Sequence, residues 1–193
     1  MHAGPCANCQ AALQAGPMKF PAVLLLALLS ALTLRAEDPA SFEVGGLKFA
    51  RPADWKWVEV TSPMRKAQLK VPGATADQSA DITFFHFGSG AGGDVHANTQ
   101  RWLAQFKGSD AAGKTEPQEI AGTKVTLVST EGTFSSGMPG GPSTQLENYA
   151  LLGAIVEGPE GNVFVKMTGP AALVKESRAK FLEFITAAIS GKK

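Results

Sequence analysis

The sequence predicts an α+β fold, an antiparallel β-sheet flanked by helices. Three observations predict it. Short stretches of apolar alternation are separated by turn residues, which is the strand signature. Two other segments instead repeat their apolar residues at helical spacing. The connections between consecutive strands are short, which favours antiparallel pairing. The chain has 193 residues, 44% of them hydrophobic and 18% charged. That is enough for one domain with a sizeable core.

The elements follow in order. "SFEVGGLKFARP" places two apolar-alternating pieces around Gly45-Gly46, the pattern of a tight hairpin. "DWKWVEV" alternates, with Trp55, Trp57 and Glu59 on one side. "RKAQLKV" is a third strand and "VPGATADQSA" a loop. "DITFFHF" carries apolar residues on both faces, which predicts a central strand covered on both sides. Asp94 is a helix N-cap, and Val95, Thr99, Trp102, Leu103 and Phe106 form the stripe of the helix that follows. "KGSDAAGKTEPQ" reads as a polar connection. "TKVTLVSTEGTF", "NYALLGAIVEG" and "NVFVKMTG" are strands, the last two joined by a turn at Pro159-Glu160-Gly161. Between the first two lies "SSGMPGGPS", Ser135 to Ser143, read as a Gly/Pro-rich loop with an exposed Met138. Pro170 is placed at the first position of a final helix, with Leu173, Val174, Ser177, Phe181, Phe184, Ile185 and Ala188 as its buried stripe and Gly191 as its stop. The expected order is three or four strands, a helix, four strands and a helix.

The N-terminal segment reads as a leader. Met18-Lys19 is followed by an uncharged apolar run from Pro21 to Leu34, the length of a signal-peptide core and too short to span a bilayer. The expected cleavage lies between Ala36 and Glu37. Residues 1–36 are thus an extension and signal peptide with its start at Met18, and residues 37–193 are a single domain. The Cys6/Cys9 pair falls upstream of that start, where a CxxC has no fold to act in. No cysteine follows the apolar run, so no lipid-anchor signal is present and no stable membrane anchor is expected after cleavage. The expected location is periplasmic or secreted.

Charge excludes one class of function. The formal net charge is +1 for the chain. Removing Lys19 and Arg35 leaves 16 basic residues against 17 acidic ones after Ala36, a net charge of −1. Non-specific nucleic-acid binding needs a concentrated basic field, so none is expected.

Several motifs could carry chemistry. Gly88, Gly90 and Gly93 have GxGxxG spacing between a strand and a helix. A dinucleotide site also needs a βαβ unit and an acidic residue at the end of the second strand. The available acids, Asp110 and Glu116, lie in the polar connection, so no dinucleotide and no other cofactor is expected. His86, Asp94 and His96 are the weak candidates for a metal set, one at a strand end and two at the helix start. Trp55 and Trp57 could stack on a sugar, against the alternative of core packing. Carboxylates, serines and histidines show no trio that spacing alone assembles into a base and its partners.

"LKFARPADWKWVEV", then "NVFVKMTGP" followed by "FLEFITAAIS", resembles the opening and the end of the Mog1/PsbP-like families, which include exported bacterial DcrB-like proteins. The resemblance implies a sheet sandwiched by helices, and adaptor or assembly roles without catalysis. PsbP-like members assist photosystem assembly and Mog1 binds a small GTPase, but neither set of functional residues maps onto positions here. Many bacterial relatives carry a lipid anchor, whereas this chain lacks the cysteine for one.

The functional expectation is an exported, non-catalytic binding or assembly module of the cell envelope, with a protein partner there. Arg101, His96 and the loop from Ser135 to Ser143 are its surface candidates. The rival expectation is a small-ligand- or metal-binding protein, or an enzyme, using the region of His86, Asp94 and His96.

Overall fold

Gly45 and Gly46 reverse the chain at positive φ (56° and 72°) and join β1 (Ser41–Val44) to β2 (Leu47–Ala50) in an antiparallel ribbon. Only glycine enters that conformation without steric cost. The computed structural model describes residues 38–108, 113–137 and 142–191, all within the unit that runs from Glu37 to Lys193. Beyond the ribbon come β3 (Lys56–Trp57), β4 (Arg65–Val71), β5 (Ala80–His86), α1 (Val95–Leu103), β6 (Phe106–Lys107), β7 (Lys114–Ile120), β8 (Thr123–Gly137), β9 (Ser143–Gly158), β10 (Gly161–Pro170) and α2 (Ala171–Ser190).

Eight strands make one sheet in the order β3-β4-β5-β10-β9-β8, and the far edge of β8 is shared by β7 and β6. Every pairing is antiparallel. The α+β class and the antiparallel sheet flanked by helices are therefore as expected from sequence. The strand count differs: among the described residues five strands precede α1 and five follow it. β7 falls within the stretch read as a polar connection. All its side chains but Ile120 are exposed, so its pattern shows no apolar alternation, and Pro117 fits only because β7 lies at an edge. The expected strand over "DWKWVEV" shrinks to Lys56–Trp57. Pro170 is the N-cap of α2 and not its first helical residue.

Alternation along the strands divides the sheet into two faces. On one, Leu69, Ile82, Phe84, Val125, Ala154, Val165 and Met167 pack under α2 and the β1–β2 ribbon. The α2 stripe is the expected one, with Ile189 added and Leu173 only partly buried. Phe49, Trp55 and Phe84 surround Phe184, with ring centroids 5.2, 5.2 and 6.2 Å from it. Each such buried side chain stabilises the fold by about 1.5–3 kcal/mol relative to exposure. The opposite face carries a smaller cluster, Trp102 and Phe106 against Val128, Leu151, Ile155 and Phe164.

β8 and β9 form a long hairpin with a bulge part-way along. The register shifts between Gly132 and Phe134, and Asn148 opposite adopts φ +55°. Ser135–Gly137 and Ser143 continue the two strands, so the expected loop is the tip of this hairpin. Met138 lies outside the described residues, as do Cys6, Cys9, Met18, Ala36, Glu37 and Asp110.

Candidate functional site

β10 alternates Val163, Val165 and Met167 into the larger core, which sends Phe164, Lys166 and Thr168 to the α1 side. Lys166 is thus a cation set in the middle of the sheet. Its amine donates to Gln105 Oε1, just beyond α1, and lies 5.4 Å from the centroid of the Phe134 ring. Burial, and then the like charges of Arg65 and Arg101, lower its pKa to about 8.

Arg65 reaches this face through an irregularity. The register of β4 against β5 slips between Arg65 and Ala67, so Arg65 stands opposite Phe85 while Ala67 stands opposite Phe84. Arg65 then donates to Gln68 Oε1 at 2.6 Å, and Gln68 donates to Asp81 at 3.4 Å. Arg101, on the exposed side of α1, donates to Asn98 Oδ1. Asn98 is itself buried and held by the Gly92 and Asp94 carbonyls at 2.8 and 2.9 Å. Each of the three cations therefore has a neutral amide as its hydrogen-bond partner. Among the described residues, one ion pair shares this face, Lys70–Asp81 at 4.0 Å, and the others lie elsewhere: Lys175–Glu131 at 2.9 Å, Arg178–Glu116 at 3.2 Å, and Lys180–Asp54. At the same end of β4 and β5 stand two exposed large apolar side chains, Met64 and Phe87 (59% and 44% exposed). Phe87 stacks on Phe85 with centroids 6.5 Å apart.

A second feature is a cleft of about 640 Å³ between the start of α2 and the β8–β9 strands. Ala150, Leu152 and Val174 are among its apolar walls, and Lys114, Lys175 and Arg178 bring charge to it. Two of those cations are already paired, with Glu131 and Glu116.

The residues proposed as a metal set each have another task. His86 Nε2 is 3.0 Å from the Glu160 carbonyl, and its ring packs so closely on the β1–β2 turn that a Cβ at Gly45 would come within 2.8 Å of it. Asp94 caps α1 through Oδ1 to the Ala97 N–H at 2.7 Å. His96 is exposed on the first turn of α1. Among the described residues no group of three or more His, Cys, Asp or Glu is placed to hold a metal ion.

The glycine motif does not open a βαβ unit. The neighbours of β5 are β4 and β10, both antiparallel, and α1 carries the chain to β6 at the other side of the sheet. Its glycines serve a turn instead: Gly88, Gly90 and Gly93 have φ of 87°, 72° and 79°. Trp55 and Trp57 form no platform. Trp55 is 1% exposed beneath α2, whereas Trp57 packs on Phe42 and donates to Glu59 at 3.0 Å.

Lys166 and Arg65 are absent from the sequence-based candidates. One signal was there to be read: Lys166 is the lone charge inside "VFVKMTG", a run otherwise suited to a central strand.

No family model and no curated protein matches the chain. Solved structures do. The PsbP of the cyanobacterium Synechocystis sp. PCC 6803 (CyanoP) is 12% identical, and the match covers 78% of this chain and 93% of that one, with a TM-score of 0.49. PA94 of Pseudomonas aeruginosa, a protein of unknown function, is 12% identical over 76% of this chain and 92% of that one, with a TM-score of 0.43. At such identity the likeness concerns the fold and says nothing of activity.

Proposed function

We propose that the chain is an exported, non-catalytic binding or assembly module of the cell envelope, active as a periplasmic or secreted protein with a protein partner. One observation carries the reading. α2 and the β1–β2 ribbon cover one face of the sheet, whereas a nine-residue helix covers only part of the other. The strands left open hold polar and charged side chains in a sheet, which suits contact with another macromolecule. The leader-like segment before Glu37 supports export. No helix among the described residues is long and apolar enough to cross a membrane.

The test is capture from native cells with a C-terminal tag, followed by fractionation and mass spectrometry. The expected result is a bait starting near Glu37, outside the cytoplasm, with one partner in reproducible stoichiometry. A cytoplasmic bait that retains Lys19, or one that is reproducibly alone, overturns the proposal.

The cleft beside α2 favours a second reading, a carrier of a small ligand. Its volume is in the range of small-molecule sites. A bound metabolite in the purified protein would support that reading over the first.

A further inference from the structure

The α1 side of β4, β5 and β10 combines two features that surfaces normally avoid together. Three cations gather with neutral amides as their partners: Arg65 on Gln68, Arg101 on Asn98 and Lys166 on Gln105. Beside them Met64 and Phe87 leave much of their apolar surface in water. By contrast, Lys175, Arg178 and Lys180 of α2 each reach a carboxylate on another element.

We infer that this surface is a docking site for an acidic segment of a protein partner, one that sets carboxylates against Arg65, Arg101 and Lys166 and an apolar side chain against Met64 and Phe87. The inference rests on the binding-module reading above and names its surface. Charge complementarity argues for carboxylates, and guanidinium groups accept them in two-point contacts. The exposed Met64 and Phe87 argue against a lone inorganic ion, which has no use for apolar neighbours. A fourth cation on this face, Lys70, is paired with Asp81, which leaves fewer unneutralised cations than the roughly four to eight Lys or Arg that a lipid surface calls for. An incoming carboxylate would also offset the repulsion among the three cations, so docking should make Lys166 harder to deprotonate.

The probe is a short fluorescein-labelled peptide with a leucine flanked by glutamates, titrated against the purified chain and read by anisotropy. Its controls are the same peptide with lysines for glutamates, inorganic phosphate, and phosphatidylglycerol vesicles. Saturable binding of the acidic peptide is expected. Arg65→Gln with Arg101→Gln should weaken it by about tenfold or more, and Lys124→Gln, at an exposed site on β8, should not. Both variants should melt as the parent does. The inference falls if no binding saturates by about 2 mM, where affinity is negligible. It also falls if the lysine peptide binds equally, if the double variant binds undiminished, or if phosphate or vesicles displace the peptide at equal charge. Cell capture separates the two levels. A double variant that still recovers the native partner overturns this surface and leaves the module reading standing, whereas a parent chain with no partner overturns that reading itself.

Discussion

Trp102 fills the space that a side chain at Gly153 would need: a Cβ built there would stand 2.9 Å from Cε3 of the indole and closer still to Cζ3. β9 leaves out a side chain at that position, and α1 comes down onto the sheet through it. Trp102 is only 6% exposed, so its ring has little room to retreat. Gly153→Ala should cost about 1–3 kcal/mol by overpacking, with the loss centred on α1. Urea unfolding followed by tryptophan fluorescence checks it, and an unchanged midpoint would contradict the contact.

Lys166 predicts a pH dependence. Burial, then Arg65 from β4 and Arg101 from α1, lower its pKa from 10.5 to about 8. Between those values the unfolded chain binds the proton and the folded one does not, so stability should rise with pH across that window. Below it both states are charged and the full penalty remains. Lys166→Met should therefore stabilise the fold near neutral pH by up to roughly 3 kcal/mol, less what the Gln105 and Phe134 contacts contribute. Its stability should also be flatter between pH 8 and 10.5 than the parent's, as urea midpoints would report.

Asp94→Ala removes the side-chain acceptor for the Ala97 N–H. The expected cost is about 1 kcal/mol. Hydrogen exchange should localise it to the first turn of α1, and uniform loss of protection across the sheet would count against this role.

Trp55→Ala should cost about 3–5 kcal/mol, as for a large aromatic removed from a core. Its ring is packed against Phe184, with Lys180 Nζ 5.9 Å from its centroid. Oligosaccharides should leave the parent's tryptophan fluorescence unchanged. A saturable shift would restore the sugar-platform idea.

His86 and His96 should not carry a metal. The parent and the His86→Ala, His96→Ala double variant are expected to show the same zinc content by elemental analysis. His86→Ala should still lower stability, because the ring joins the Gly45 turn to the Glu160 carbonyl.

Much of the scaffold was legible in the sequence, and the reason is local. The Gly45-Gly46 turn, the Asp94 cap and the α2 stripe are each specified by residues within one or two turns of chain. β7 was not legible, because "KTEPQEI" lies at an edge with most of its side chains in water, where nothing enforces alternation. The tip of the β8–β9 hairpin was hidden by its own composition, since Ser, Gly and Pro mark loops more often than strands. The cationic surface was less legible still. Arg65, Arg101 and Lys166 are far apart in the chain and meet only through strand order and the β4 irregularity.

The pairing of β5 with β10 has a kinetic side. Thr83 faces Lys166, 83 positions later, in the middle of the sheet. A nascent chain that has emerged only as far as β5 holds a strand whose inner neighbour does not yet exist. Loop closure over such a distance is slow compared with helix or hairpin formation. The centre of the sheet therefore closes last, after the C-terminal third is available.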